Sequence, residues 1–147
     1  MGLSDVLGSG PVAVDTALFI YLIEEHPRFL PAVQFLFEQA DRGKREMVTS
    51  AVTLLEVLVV PYRAGNLQLA ERYEALLTRA RGVRLVELNR DQLRAAAQLR
   101  ALHGGLRTPD ALQVAAALTG GCATLITNDR RFPAVAGLSI VQLSDHA

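Results

Sequence analysis

Two short apolar runs constrain this chain more than any other feature. Val12-Ala13-Val14 stops at Asp15, and the run from Cys122 to Ile126 stops at the polar turn Thr127-Asn128-Asp129. A run of this length before a polar turn reads as a strand buried on both faces, the pattern of a parallel sheet. In open parallel sheets, ligands bind beyond the carboxyl ends of the strands, where strand order reverses. Asp15 and Asp129 are therefore expected to meet in one crevice although they lie far apart in sequence.

The chain between them alternates the two kinds of element. Asp15-Thr16 opens a helix to about Glu25, stopped by His26-Pro27, because the residue before proline is disfavoured in the helical region. A helix from Pro31 to Arg42 ends at Gly43. Glu46 to Thr49 reads as a strand and Ser50 as the cap of a helix from Ala51 to Val60, with Pro61 breaking or kinking it. An amphipathic helix follows from Leu67 to Arg81, then a strand from Val83 to Leu88 and a helix from Arg90 to His103. Thr108-Pro109-Asp110 starts a helix to Leu118, with Thr as N-cap and Pro and Asp in its first turn. After the Cys122 to Ile126 strand, a short helical turn from Asp129 to Phe132 and a last strand from Leu138 to Leu143 are expected. Strands alternating with helices predict an α/β sandwich on a mainly parallel sheet. Residues 1–11 read as a loose lead-in and residues 12–147 as a single domain.

Composition narrows the functional classes. The 15 basic and 15 acidic residues cancel, so no global field draws in nucleic acid and any such binding needs a local patch. The single cysteine, Cys122, excludes an intramolecular disulfide and a cysteine-based zinc site, and reads as a small core residue. No apolar run approaches the roughly 20 residues of a membrane span, and no signal peptide is apparent. The expectation is a soluble, cytoplasmic protein.

The acids carry the chemistry. Glu56 is the only charge in Val52-Thr-Leu-Leu-Glu-Val-Leu-Val-Val60, and a charged side chain is rarely buried without a partner. It either pairs with an arginine or ligates a cation. Asp110 in a helix first turn is also favoured by the macrodipole, and Asp15 and Asp129 can each cap the segment that follows. Taken jointly, the four mean more. Two carboxylates about 4 Å apart repel by roughly 4 kcal/mol at an effective dielectric near 20, so a cluster calls for a cation. Mg²⁺ and Mn²⁺ prefer oxygen ligands, and such a site fits metal-assisted phosphodiester hydrolysis.

Four segments together resemble the motifs of the PIN-domain ribonucleases. They are Val12-Ala-Val-Asp15-Thr16, Thr49-Ser-Ala-Val-Thr-Leu-Leu-Glu56, Arg107-Thr-Pro-Asp110-Ala-Leu and Thr127-Asn-Asp129-Arg-Arg-Phe132. Within that family the likeness is to the VapC-type toxins of type II toxin–antitoxin modules. The resemblance implies a three-layer α/β/α sandwich with a four- or five-stranded sheet and an acidic pocket for Mg²⁺ or Mn²⁺. It also implies that Asp15, Asp110 and Asp129 lie nearest the metal, with Glu56 a ligand or an orienter of its water. Thr16 belongs to the first motif, and Thr127 and Asn128 would support the pocket by hydrogen bonds. Arg107, Arg130 and Arg131 flank the acids and could hold substrate phosphates, or be ordinary surface arginines.

The implied activity is metal-dependent endonucleolytic cleavage of RNA, leaving 5′-phosphate and 3′-hydroxyl ends. A structured RNA is the expected substrate, since its loops expose bases to a shallow pocket. The toxin likeness implies an antitoxin partner, and the apolar segments Leu18 to Ile23 and Leu54 to Val60 offer surface for it or for a homodimer, unless they are core. His26, His103 and His146 lie outside the motifs. Two alternatives stay open: a non-catalytic PIN-like scaffold that binds RNA or protein, and an RNA-processing nuclease without an antitoxin. A receiver or haloacid-dehalogenase-like domain fits poorly. Ala17 stands where the latter needs a second Asp, and the only lysine, Lys44, is misplaced for the former.

Overall fold

The computed structural model describes residues 2–147. Its elements in chain order are α1 (Leu3–Leu7), β1 (Val12–Val14), α2 (Thr16–Ile23), α3 (Leu30–Asp41), β2 (Met47–Ser50) and α4 (Val52–Arg63). Then come α5 (Leu67–Thr78), β3 (Val83–Val86), α6 (Arg90–Leu102), α7 (Thr108–Thr119), β4 (Thr124–Thr127) and β5 (Ser139–Gln142), with a 3₁₀ turn at Leu143–Asp145. The five strands form one sheet in the order β3-β2-β1-β4-β5, every neighbouring pair parallel. Successive strands run outward from β1 to β3, then the chain crosses back to lay β4 on the other side of β1. The order reverses between β1 and β4.

Period-two alternation divides the strand side chains between two helical layers. Val12, Val14, Met47 and Ile126 pack with Leu18, Phe19, Val33, Leu36, Val57, Tyr73 and Leu77, the layer of α2 to α5. Ala13, Val48, Val86 and Leu125 face Ala96, Leu99, Ala111, Val114 and Ala115, the layer of α6 and α7. The expected three-layer α/β/α sandwich is what the chain forms. Cys122 is buried as expected, and burial pushes its thiol up to about 11. No helix among the described residues is long and apolar enough to cross a membrane.

Five local expectations need correction. The lead-in is not loose: Leu3 and Leu7 are buried on α1, whose first turn is closed by the Asp5 carboxylate accepting from the Gly2 N–H at 3.0 Å. The Arg45 guanidinium then fastens the following residues through the Gly8 and Gly10 carbonyls. Met1 lies outside the described residues. Ser50 ends β2 rather than capping α4, and Ala51 takes the cap position. Pro61 does not break α4, which continues to Arg63. The proline removes one bond, the one its missing N–H would have made to the Val57 carbonyl, and the helix runs on for two residues past it. Thr108 is the first helical residue, with Arg107 at the cap, because its hydroxyl accepts from Arg100 Nη1 at 2.9 Å instead of closing the helix. Asp129 to Phe132 forms a turn without helix. There the Asp129 carboxylate takes the Arg131 N–H at 2.9 Å, a local bond that competes with helix.

The apolar segments also separate. Leu18 and Phe19 are fully buried, whereas Leu55, Val59 and Val60 of α4 point outward, Leu55 and Val60 each 64% exposed.

One glycine fixes the approach of α3 to the start of β3. Gly82, just before β3, has φ +78°, and a Cβ there would collide with the Ala40 carbonyl oxygen and stand 2.7 Å from its carbon. Gly121 has a similar φ of +73° with open space around it. Gly121→Ala is expected to lower stability by about 1–2 kcal/mol from the left-handed backbone alone, and Gly82→Ala by about 2–5 kcal/mol with the overpacking added. Urea denaturation of both variants checks the ordering.

Candidate active site

The C-terminal ends of β1 and β4 open into a pocket of about 660 Å³ lined by Asp15, Thr16, Glu56, Arg107, Asp110, Asn128, Asp129, Arg130 and Arg131 among others. It lies where the strand order reverses, between β1 and β4. All four singled-out acids reach it from separate elements: the end of β1, α4, the first turn of α7 and the loop after β4.

The pairing of β1 with β4 sets Val14 opposite Ile126, and the Asp15 N–H extends the ladder by donating to the Ile126 carbonyl at 3.0 Å. Asp15 caps α2, accepting from the Thr16 N–H at 2.8 Å. Its other oxygen accepts from the Thr127 hydroxyl at 2.8 Å, while that hydroxyl's oxygen accepts from the Asp129 N–H at 3.0 Å. Thr127, fully buried, thus joins the two acidic strand ends. Asn128 points elsewhere: it donates to Tyr21 Oη at 3.1 Å and accepts from the Ser144 N–H at 2.8 Å, pinning the loop to α2 and the C-terminal turn.

Glu56 is half-buried, and its Oε1 accepts from the Thr16 hydroxyl at 2.6 Å. It has no arginine partner among the salt bridges of the described residues. Asp110 is 8% exposed and receives Arg107 Nε at 3.0 Å. Arg107 Nη2 reaches across to Asp129 at 3.0 Å, so one guanidinium bridges two acids. Arg131 closes on Asp129 from the other side with two bonds of 2.9 Å. Arg130 turns away to Asp145 and Ser144.

Sequence reasoning placed arginines beside the acids but missed that Arg107 and Arg131 pair with them. The three-residue spacing of Arg107 and Asp110 at a helix start was the available signal. It also missed the buried Thr49, Ser50, Thr53 and Gln113 beneath the pocket. Gln113 alone interrupts the apolar run from Ala111 to Ala117, an anomaly of the same kind as Glu56.

The electrostatics divide the acids. Burial is the largest influence on Asp15 and raises its carboxyl above the ordinary 3.8; hydrogen bonds from Thr127 and Thr16 oppose the rise, and the charges of Asp110 and Glu56 add to it. Asp129 is held below 3.8, first by the hydrogen bond from Arg131. The donor set is all oxygen, which suits a hard divalent cation. In this arrangement Arg107 and Arg131 engage Asp129, and the described residues show no ready-made group of three Asp, Glu, His or Cys side chains around a metal position.

The PIN domain family model matches residues 12–138. No curated protein sequence matches the chain significantly. Among solved structures, VapBC2 from Rickettsia felis bound to a promoter DNA fragment is similar with a TM-score of 0.70 at 16% identity, over 90% of this chain and 98% of that one. A toxin–antitoxin complex from Klebsiella pneumoniae gives 0.63 at 20% identity, over 86% and 94%. The sarcin–ricin loop cleaving toxin VapC20 of Mycobacterium tuberculosis gives 0.60 at 18% identity, over 78% and 86%. At these identities the likeness is one of fold.

The two pKa directions make opposite pH signatures. Asp15, raised in the fold, stabilises at low pH, and that contribution is lost as pH rises through its folded value. Asp15→Asn is therefore expected to raise the thermal midpoint in EDTA at pH 7, the gain shrinking as pH falls toward 3.8. Asp129 contributes stability above 3.8 that is lost as pH falls through its lowered folded value, so Asp129→Asn is expected to lower the midpoint at pH 7. Melts of both variants across pH check the pair.

Proposed function

Because the chain belongs to the PIN-domain family, we propose that it is a metal-dependent endoribonuclease, the VapC-type toxin of a toxin–antitoxin module. The observation that carries this reading is the convergence of Asp15, Glu56, Asp110 and Asp129 on one pocket at the strand-order reversal. Charged groups are gathered at such cost for chemistry more often than for stability.

Each acid has a role derived from its setting. Asp15, fixed by Thr127 and the α2 cap, is the natural anchor for a cation. Asp110 faces the same pocket from the first turn of α7, and Asp129 from the loop across it. Glu56, held by Thr16 and unpaired with any arginine, is free to orient a water. Mg²⁺ or Mn²⁺ held by Asp15, Asp110 and Asp129, with Glu56, would lower the pKa of water and stabilise the charge of an in-line displacement at phosphorus. Arg107 and Arg131 stand at the rim, about half or more exposed, and carry the donors for a substrate phosphate. Arg130, engaged with Asp145, has less claim to that task.

A structured RNA is the proposed substrate, and the cytoplasm the proposed site of action. The outward face of α4, with Leu55, Val59, Val60 and Tyr62 exposed, is the proposed surface for an antitoxin or a second copy of the chain. The antitoxin complexes among the similar folds support such a partner. A non-catalytic scaffold is the reading favoured by the arginine pairing of Asp129, since those ion pairs already neutralise part of the cluster.

Cleavage of a structured RNA in Mn²⁺ or Mg²⁺ separates the two readings. The nuclease reading expects 5′-phosphate products, abolition by EDTA, and at least about a 10²-fold loss of rate in Asp110→Asn or Asp129→Asn, since lost charge stabilisation of a few kcal/mol is worth that much. Equal cleavage by wild type and both variants would exclude these acids from the chemistry.

A further inference from the structure

Beneath the pocket, between α4, α7 and β2, lie four polar side chains that water does not reach. Thr49, Ser50 and Thr53 are 0% exposed and Gln113 is 1% exposed. An uncompensated polar group in such a place costs free energy, and an apolar set of similar volume would pack there without that cost. Their hydrogen bonds account for them.

Ser50 N–H can only donate, so the Gln113 amide atom 3.1 Å from it is the carbonyl oxygen. That orientation turns the Gln113 NH₂ group to Thr53 Oγ1 at 2.8 Å. At the other end, the Glu56 carboxylate can only accept, so Thr16 spends its hydroxyl proton there. Thr49 donates to the Val14 carbonyl at 2.9 Å, with Gln113 Oε1 a weaker second acceptor at 3.3 Å; either way its oxygen and that of Thr16 are left as acceptors. Thr53 stands between them, at 2.7 Å from Thr49 and 3.2 Å from Thr16, and supplies its one proton to this pair. The network has a single outlet to the pocket, the Thr16 hydroxyl on Glu56. It also ties the helix of Glu56 to the helix of Asp110, since Thr53 and Gln113 each lie three residues from those acids.

We propose that Thr53 and Gln113 are positioning residues that hold the Thr16 hydroxyl, and through it the Glu56 carboxylate, in the geometry used by the cation site. The proposal rests on reading the pocket as a divalent-cation centre. Outer hydrogen-bond partners of this kind orient the groups that touch a metal. Thr53 and Gln113 touch neither substrate nor cation.

The test is Mn²⁺ binding to the full chain without RNA, followed by the electron paramagnetic resonance signal of the free ion. Thermal melts in EDTA verify that each variant is folded. Thr53→Val is expected to weaken Mn²⁺ binding by roughly 10- to 100-fold, and Gln113→Met in the same direction, as for other outer-shell losses. Thr53→Ser, which keeps the hydroxyl, is expected to bind like wild type. The double variant Thr53→Val/Glu56→Gln is expected to bind no worse than Glu56→Gln alone, because residues acting through one group are not additive. Wild-type affinity in folded Thr53→Val or Gln113→Met, failure of Thr53→Ser to rescue, or full additivity in the double variant would overturn the positioning role. Absence of saturable Mn²⁺ binding in wild type would overturn the cation-site reading itself, and the proposal with it.

Discussion

The pairing of β1 with β4 is the constraint on which the site depends. It joins segments more than a hundred residues apart and places Val14 beside Ile126 at the point where strand order reverses. Ladder bonds in a parallel sheet are fixed in register, because a slip of one residue would turn every side chain to the opposite helical layer. Val12, Val14 and Ile126 face one layer and Ala13 and Leu125 the other, so both strands are locked. Asp15 and Thr127 then have no choice but to meet, and the Thr127 hydroxyl turns that meeting into a bond while fixing Asp129 through its N–H.

The same pocket stores unfavourable electrostatics. Asp15 is half-buried near two other acids, while the Asp129 carboxylate is relieved by arginines from α7's cap and its own loop. The Arg107 bridge between Asp110 and Asp129 places a fixed positive charge among the acids, which limits the repulsion the fold must bear. The guanidinium ends of these pairs are exposed, so each contributes only modestly to stability. Their consequence is local: they set which carboxylates are engaged and which, Glu56 and Asp15, are held by hydroxyls and backbone alone.

The layers of the sandwich follow from particular residues. Small and β-branched side chains in the strands and the alanine-rich run Ala115 to Ala117 on α7 allow helix and sheet to approach closely, with Gly82 admitting α3 and β3 at contact distance. At Thr108, Ser50 and Pro61 local propensity was overridden. A hydroxyl was claimed by Arg100, a strand ran one residue further under tertiary pairing, and a helix tolerated proline near its end. The α1 segment was legible only as two leucines four residues apart, too short a pattern to signal a helix without the core that buries them.

The sequence alone determined the alternation of strands and helices on a mainly parallel sheet and singled out the four acids as candidates, because each rests on a local pattern. An apolar run of strand length, a polar turn after it and a lone charge in an apolar helix are all written in consecutive residues. It could not determine which arginine meets which acid, that Asn128 bonds to Tyr21 and Ser144, or that Thr53 and Gln113 connect beneath Glu56. Those outcomes depend on side chains brought together from distant segments at distances near 3 Å. Hydrogen bonds and ion pairs are decided at that scale, and only the packed tertiary structure sets it.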